Sequence, residues 1–364
     1  MKVLAQARSD FFTKPGGDTV QLQKSIKYLL EIGVKVDIST DIHCKSDKYD
    51  LIWLFNLDRP LETYMQLINA KENGKKTILS SIHHPHSYIE LHERYARRGL
   101  IKLFNRIIPG MDNRELIKNI WRIAQYKLDS SVLKTQLVHS YFEQQKFVVN
   151  NVNAVIALSN GEKSSIEKYL DTKLDNCYII PNGVDFTLSP LNNYDKKGVL
   201  SIGRIESRKN QISLIKALKD DNIELTFVGK VNPNHKAYTK DFLKAVASRK
   251  NTTFIPGLSH KDVLSLAGKF KVHALVSWFE VLPLVDFEAA VAGCNIVTTK
   301  AGYSKDYFAD NAYYVEPSSM EDIRENILLA MERENKPDLA NYIKYNFTWN
   351  KVALKLKQAF EEIL

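Results

Sequence analysis

The stretch VHALVSWFEVLPLVDFEAA, residues 272–290, contains the repeating unit of the chain. Val272 to Val276 is an apolar run of strand length, and Pro283 suits the first turn of a following helix, where an amide hydrogen is not needed. A strand that leads through a loop into a helix is typical of a parallel sheet whose faces are covered by helices. The stretch therefore predicts one step of a doubly wound α/β domain.

The same alternation continues on both sides of this stretch. Predicted strands cover residues 2–5, 34–38, 51–55, 77–79 and 154–158 in the first half and 199–202, 223–228 and 272–276 in the second. Between strands, apolar residues recur at helical spacing. The first such set is Val20, Leu22, Ile26 and Leu29. A polar joint at residues 186–197, which contains Pro190, separates two similar α/β halves.

Composition bounds the class of protein. The chain has 364 residues, of which 44% are hydrophobic and 26% charged, so wholesale disorder and a fibrous protein are excluded. No run approaches the roughly 18 apolar residues of a spanning helix, and the N-terminal apolar run is too short for a signal-peptide core. The cysteines Cys44, Cys177 and Cys294 are far apart, which disfavours a disulfide framework or a zinc site. We therefore expect a cytoplasmic, reducing location.

Basic charge is concentrated in one segment. The chain carries 51 Lys and Arg against 42 Asp and Glu, a net charge of +9, and residues 90–146 hold 11 of the basic and 6 of the acidic residues. Two interpretations stay open for the helical segment 86–150. Residues 90–108 form an interfacial helix on the inner face of an anionic membrane, or the segment is an insertion packed on the first domain. Its aromatic residues fall at helical spacing, so no nucleic acid is expected as a partner.

Two carboxylates flank the helix start in the opening stretch. Glu280 lies in the loop after the strand, and Glu288 lies inside the helix. Ligands of parallel sheets bind at the carboxyl ends of strands, and the free amides of residues 282–285 form an anion site. A phosphate there, with a carboxylate on either side to hold hydroxyl groups, suits a sugar nucleotide. The alternative is two surface acids on an ordinary helix.

The string GRIESRK, residues 203–209, also follows a strand and precedes a helix, so we expect it at the same edge of the same sheet. Arg204 and Lys209 would neutralise a diphosphate there, because arginine offers a planar fork of donors and lysine a point charge. Basic residues are common at helix starts, so this string by itself is weak evidence.

Gly16 and Gly17 lie between the first strand and the first helix, beside Asp18. Two glycines allow the backbone to approach a ligand closely. The spacing is not GxGxxG, so a dinucleotide fingerprint is absent. The alternative is a plain glycine turn in which Asp18 or Thr19 caps the helix.

The string SIHHPH, residues 81–86, has three histidines in four residues. We set a metal site aside because Pro85 extends the chain, so that the rings diverge, and no acidic or cysteine cluster completes a ligand set. One histidine is expected to reach a reacting sugar, and the other two to be solvated or to cap a helix. The string IPNGVD, residues 180–185, is interpreted as a structural turn at the domain joint.

Together these strings resemble the retaining glycosyltransferases of family 4. The family's Glu-x7-Glu signature is similar to Glu280 and Glu288, and its G-R-x4-K pattern is similar to residues 203–209. IPNGVD matches as it stands, and the closing string FTWNKVALKL, residues 347–356, resembles the family's final helix. The resemblance implies the GT-B fold, two Rossmann-like domains that face each other across a cleft. Residues 1–186 would bind the acceptor, residues 187–346 the nucleotide sugar, and residues 347–364 would cross back to the first domain.

The resemblance also implies a role for each matched residue. The catalytic residues would be Glu280, His83, Arg204 and Lys209. The nucleotide-sugar site would comprise Arg204, Lys209, Glu280, Val281, Leu282, Pro283, Leu284 and Glu288. The loop Gly16, Gly17 and Asp18 would approach the acceptor. Val281 and Asn210 stand where the family usually has glycine, which leaves the donor sugar open.

The expected reaction transfers a sugar from a nucleoside-diphosphate sugar to a hydroxyl group of a glycan or lipid-linked acceptor, in the synthesis of a cell-surface polysaccharide or glycoconjugate. No Asp-x-Asp string occurs, so no cofactor and no metal are expected. Arg204, Lys209 and the helix N-terminus would stabilise the leaving diphosphate. Two other classes stay open. One is a sugar-nucleotide epimerase or phosphorylase of the same shape, and the other is a non-catalytic nucleotide-sugar-binding protein.

Overall fold

The computed structural model describes residues 1–98, 108, 113–117, 120, 138–185, 196–334 and 337–364. The described residues form two compact units. The first comprises Met1–His84, the described residues between 105 and 183, and Trp349–Leu364. The second comprises residues 85–98 and the described part of Val184–Thr348. The polar joint predicted at residues 186–197 lies almost wholly outside the described residues.

Each unit contains one six-stranded parallel sheet. The strands are β1 (Lys2–Gln6), β2 (Lys35–Ser39), β3 (Leu51–Phe55), β4 (Lys76–Ser80), β5 (Ala154–Ala157), β6 (Cys177–Ile179), β7 (Val199–Ile202), β8 (Leu225–Val228), β9 (Thr252–Ile255), β10 (Val272–Leu275), β11 (Asn295–Thr299) and β12 (Ala312–Val315). The first sheet has the order β2-β1-β3-β4-β5-β6, and the second has the order β12-β11-β10-β7-β8-β9. The order therefore reverses between β1 and β3 in one sheet and between β7 and β10 in the other.

Helices connect the strands in both units. They are α1 (Gly17–Glu31), α2 (Pro60–Glu72), α3 (His86–Tyr95), α4 (Tyr141–Asn151), α5 (Asn160–Leu170), α6 (Gln211–Ala217), α7 (Lys236–Ser248), α8 (His260–Ala267), α9 (Leu284–Val291), α10 (Lys305–Phe308), α11 (Met320–Glu332), α12 (Pro337–Asn346) and α13 (Trp349–Ile363). Parallel strands separated by helices confirm the predicted doubly wound α/β fold. Among the described residues, no helix combines the length and the apolar character needed to cross a membrane.

Helix α1 illustrates how local sequence sets an element. The amide of Gly16 donates to the Thr19 hydroxyl at 3.0 Å, which satisfies one of the groups left over at the helix start. The buried face carries Leu22, Ser25 and Leu29. The predicted face included Val20, which is 42% exposed, so the stripe is narrower than the apolar residues suggested.

The closing helix α13 packs within the first unit. It contacts α1, and the rings of Trp53 and Phe360 meet edge to face at 5.2 Å between centroids. The turn before it depends on Gly183, because a Cβ atom there would lie 2.6 Å from the amide nitrogen of Trp349. The string IPNGVD thus has a packing reason for its glycine.

Helix α3 departs from the predicted organisation. The segment 86–150 was expected to be an insertion of the first domain, but residues 85–98 belong to the second unit. Tyr88, Ile89 and Ala96 pack against a cluster formed by Trp278, Phe279 and Ala301. Apolar periodicity shows that α3 has an inward face, but it carries no information about which unit receives that face.

The basic residues near α3 are partly paired. Arg97 lies 2.6 Å from the Glu93 carboxylate, and Arg98 lies 3.5 Å from that of Asp241. Most of the segment 99–137 lies outside the described residues. The interfacial-helix interpretation of residues 90–108 therefore stays a prediction.

Candidate functional site

The candidate site lies at the carboxyl edge of the second sheet, where the strand order reverses between β7 and β10. Ligands of open α/β sheets bind at this position because the loops on the two sides of the reversal diverge. After β7 the chain forms a 3-10 turn, Ser207–Lys209, and after β10 it runs through Glu280 into α9. Both motifs predicted from the sequence therefore meet at one edge.

Close backbone packing shapes these loops. A Cβ atom on Gly229, after β8, would lie 2.0 Å from the carbonyl oxygen of Gly203. A Cβ atom on Gly302, after β11, would lie 2.8 Å from the carbonyl oxygen of Glu280. Glycine at these two positions lets neighbouring strand ends approach each other, which brings their side chains to one place.

Glu280 is the centre of the cluster. Its carboxylate accepts from Lys209 Nζ at 2.6 Å and from Arg208 Nη1 at 3.0 Å, and its side chain is 8% exposed. Burial alone would raise the pKa of Glu280, but the charges of Arg208 and Lys209 outweigh burial and hold the pKa well below its usual range. Glu280 is therefore an ionised acceptor and not a general acid.

Arg208 was not predicted from the sequence as a residue of the site. Its guanidinium bridges two carboxylates, because Nε lies 3.4 Å from Glu206 and Nη1 lies 3.0 Å from Glu280. Burial would lower the pKa of Arg208, but the charges of Glu280 and Glu206 raise it above its ordinary value. The only sequence signal for Arg208 is its place between Arg204 and Lys209.

Arg204 occupies the outer side of the cluster. Its Nη2 atom lies 3.7 Å from Glu206, and its side chain is 45% exposed. Glu206 is buried and also accepts from Asn232 Nδ2 at 2.7 Å. Burial would raise the pKa of Glu206, but the charges of Arg208 and Arg204 lower it to about 2. Arg204 thus has an accessible guanidinium beside a buried carboxylate.

Glu288 lies one turn inside α9. Its carboxylate is 2.7 Å from His260 Nε2, and its side chain is 16% exposed. His260 begins α8, is half exposed, and was not selected from the sequence. The carboxylate is thus held in one orientation at a solvent-accessible position.

The start of α9 differs slightly from the prediction. Pro283 is the N-cap residue and not a residue of the first turn, and in the described part of the chain no side chain caps this helix start. The side chains of Val281 and Leu282 are buried, so a ligand at this loop would contact the backbone of these residues more than their side chains. Asp286 in the first turn is wholly buried, and its Oδ1 atom lies 3.2 Å from Nδ1 of His273.

The predicted acceptor loop lies at the matching edge of the first sheet. Asp18 accepts from Arg8 Nε at 2.6 Å, and burial, which would raise the pKa of Asp18, is outweighed by the Arg8 charge. A Cβ atom on Gly16 would lie 2.7 Å from Asp18 Oδ1, whereas one on Gly17 would meet nothing within 4 Å. Only one glycine of the pair is therefore required for packing.

The Asp18–Arg8 pair belongs to a larger network after β1 and β3. Arg59 lies 3.1 Å from Asp10 and 3.2 Å from Glu62, and Glu62 also accepts from the hydroxyl of Ser9 at 3.0 Å. These partners were not predicted from the sequence, because they come from separate loops and form no local string.

The histidine run divides between the two units. His83 Nδ1 and His84 Nδ1 lie 2.9 Å and 2.6 Å from the two oxygens of Asp58, whereas His86 begins α3 in the second unit. Burial would raise the pKa of Asp58, but the two histidines lower it below its usual range. The side chain of His83 is fully buried, and its assignment to the reacting sugar stays a prediction.

Comparison with known proteins places these features in a family context. Residues 189–349, fewer than half of the chain, match the family model described as glycosyl transferases group 1, and this range includes the cluster around Glu280. A phosphatidylinositol N-acetylglucosaminyltransferase subunit of Homo sapiens is 21% identical over 225 residues, which are 58% of this chain and 46% of the human protein. The chain thus spans about half the length of this curated relative.

Solved structures resemble the whole chain. Sucrose-phosphate synthase of Thermosynechococcus elongatus has a TM-score of 0.71 at 13% identity, over 100% of this chain and 98% of that one. HepE of Anabaena, solved in complex with UDP, has a TM-score of 0.69 at 16% identity, over 99% of both chains. At such identities the likeness shows the fold, which is GT-B.

Proposed function

We propose that the protein is a retaining, metal-independent glycosyltransferase of family 4 that uses a nucleoside-diphosphate sugar. The observation that carries the proposal is the ionised Glu280, held between Lys209 and Arg208 where the second sheet reverses its order. HepE of Anabaena was solved in complex with UDP and with UDP-glucose, so a UDP-sugar is the first donor to try.

The charge of the cluster suits a diphosphate. Three cations, Arg204, Arg208 and Lys209, surround two carboxylates, so the five side chains carry a net charge of +1. When the glycosidic bond breaks, negative charge grows on the leaving phosphate, and fixed cations stabilise that charge without reorganising. Arg204 is the exposed member and would contact the diphosphate directly. The N-terminus of α9 would add its partial positive charge.

In the proposed reaction Glu280 orients the donor sugar through its hydroxyl groups, and Glu288 binds the ribose hydroxyls. The acceptor hydroxyl attacks the anomeric carbon on the face from which the phosphate departs, and the leaving phosphate accepts the acceptor's proton. No protein nucleophile is needed. The absence of an Asp-x-Asp string motivates the metal-independent form.

The acceptor is proposed to be a glycan or lipid-linked hydroxyl in the synthesis of a cell-surface polysaccharide or glycoconjugate, with the first unit binding it. The basic segment 90–108 supports peripheral contact with an anionic membrane at the inner face, where a lipid-linked acceptor would be presented. These finer assignments rest on the sequence resemblance.

A binding and turnover panel tests the proposal. The protein is mixed with UDP, GDP and ADP in a thermal-shift assay, because a ligand that favours the folded state raises the melting temperature. The matching nucleotide sugars are then assayed for release of the diphosphate, with and without EDTA. We expect one diphosphate to stabilise the protein and its sugar to be turned over in EDTA. Stabilisation without turnover would favour a non-catalytic binder, and an acceptor-independent isomerised product would favour an epimerase.

Arg204→Ala sharpens the same test. Loss of one preorganised donor to the leaving group should raise the activation free energy by about 2–4 kcal/mol. The value of kcat/KM should therefore fall roughly 30- to 1000-fold. Unchanged turnover in this variant would remove the leaving-group role of Arg204.

A further inference from the structure

Helix α3 lies directly against the loops that form the candidate donor site in the second unit. Its apolar residues pack on Trp278 and Phe279, the two residues that precede Glu280. His92, on the same helix, is 2% exposed and meets the ring of Phe279 edge to face at 5.6 Å between centroids. Helix α3 thus contacts the β10–α9 loop within the second unit.

His92 also reaches the second loop of the site. Its Nε2 atom lies 3.1 Å from the hydroxyl oxygen of Ser207, which is buried. The backbone amide of Ser207 donates to His235 Nδ1 at 3.2 Å. Ser207 is therefore fixed by α3 on one side and by the loop after β8 on the other.

Ser207 is the first residue of the 3-10 turn that carries Arg208 and Lys209. The carbonyl oxygen of Arg208 accepts from the amide of Trp278 at 2.8 Å, so the turn and the β10–α9 loop are also joined by backbone. Burial lowers the pKa of His92, so the imidazole is neutral near pH 7 and makes a directional hydrogen bond, not an ion pair. Directional bonds of this kind fix the position of a turn.

We infer that His92 is a positioning residue for the donor site, acting through Ser207 to hold the turn from which Arg208 and Lys209 reach Glu280. The inference rests on the proposed function and adds a residue from α3, outside the range of the family match. His92 contacts no reacting group. It fixes the geometry of the cations, and a misplaced cation loses affinity for both the bound diphosphate and the transition state.

The test compares His92→Leu with His92→Gln. Leucine keeps the apolar volume but removes the hydrogen bond to Ser207, whereas the amide nitrogen of glutamine lies near the position of imidazole Nε2. UDP, GDP and ADP are the probes, and dissociation constants are measured by isothermal titration. We expect His92→Leu to weaken the binding of the selected diphosphate about tenfold and to raise the donor KM similarly, with the acceptor KM unchanged. His92→Gln should bind within about twofold of wild type.

Ile89→Ala is the matched control, because Ile89 packs on the same cluster and its aliphatic side chain has no hydrogen-bonding group. It should lower the melting temperature and leave the affinity of the folded protein unchanged. Ser207→Ala should reproduce His92→Leu, and the double variant should be no worse than either single variant.

Three results would overturn the inference: unchanged affinity in His92→Leu, equal loss in Ile89→Ala, or no recovery in His92→Gln. The proposed function fails separately. If the wild-type protein binds none of the three diphosphates, the assignment of the donor site itself is wrong. If the wild-type protein binds one of them and His92→Leu binds it equally well, only the positioning role of His92 is removed.

Discussion

The carboxyl edges of the two sheets have the same backbone plan, and each carries an ion-paired network that differs from the other in net charge. The network at the first edge consists of Arg8, Asp10, Asp18, Arg59 and Glu62, and these five side chains have a net charge of −1. At the second edge they are Arg204, Glu206, Arg208, Lys209 and Glu280, with a net charge of +1. Each network is internally paired, so neither edge bears the full cost of burying isolated charge.

The difference suggests a division of labour. A network with one excess cation suits a diphosphate, whereas a network with one excess carboxylate suits the neutral hydroxyl groups of an acceptor. Doubly wound sheets put both networks in equivalent places, so loop side chains and not the fold decide which ligand each edge receives.

The largest effect should come from removing the buried cation of the second edge. Lys209→Ala leaves one oxygen of Glu280 without its 2.6 Å partner and takes a fixed charge from the diphosphate. We expect kcat/KM to fall about 100- to 1000-fold, or about 3–4 kcal/mol. Lys216→Ala, an exposed lysine on α6, is the control and should be neutral. Activity within twofold of wild type in Lys209→Ala would contradict the assignment of the second edge.

Acid should destabilise the second edge through Glu206. Its pKa falls from 4.5 in the unfolded chain to about 2 in the folded protein, so its ionised form stabilises the fold above pH 4.5. That stability is lost as the pH falls from 4.5 towards 2, and the full effect is about 3 kcal/mol. Urea unfolding at pH 7 and at pH 3 should show a smaller decrease for Glu206→Gln than for wild type. Parallel pH profiles for the two proteins would remove Glu206 from this role.

Asp18→Asn tests the first edge. The variant replaces a charge-assisted hydrogen bond from Arg8 by a neutral one, so the free energy of unfolding should fall by about 2 kcal/mol. If the division of labour holds, the acceptor KM rises and the UDP dissociation constant stays the same. Asp47→Asn, at an exposed position, is the control. An equal loss of UDP affinity in Asp18→Asn would break the comparison between the edges.

The fold and three of the five residues of the cluster, Arg204, Lys209 and Glu280, were predictable from the sequence, for a physical reason. Strands buried on both faces give continuous apolar runs such as Leu51–Phe55, and residues after parallel strands must meet at one edge. This logic is sufficient to bring Lys209 and Glu280 together. It could not choose Arg208 over Arg204 as the direct partner of Glu280, because that choice depends on the turn of Ser207–Lys209.

Contacts between distant loops were beyond sequence reasoning. The His260–Glu288 pair and the Arg59–Glu62–Asp10 network join residues with no shared motif. The docking of α3 on the second unit was missed for the same reason, since an apolar stripe specifies burial but not a partner. Residues at the ends of strands can therefore be predicted from the sequence, whereas the contacts that their side chains make require the structure.

The smallest effect concerns α3, whose two faces differ in exposure. Its inner face packs on the second unit, whereas Leu91, Arg94 and Tyr95 are exposed on the outer face. If residues 90–108 contact an anionic membrane, Arg94→Ala should weaken binding to phosphatidylglycerol vesicles by about 1 kcal/mol, roughly fivefold. Binding to neutral phosphatidylcholine vesicles should not change, and Lys216→Ala should bind both like wild type. Vesicle binding is measured by co-sedimentation. If the wild-type protein does not co-sediment with anionic vesicles, the membrane role of α3 is wrong, and its basic residues would then serve solubility.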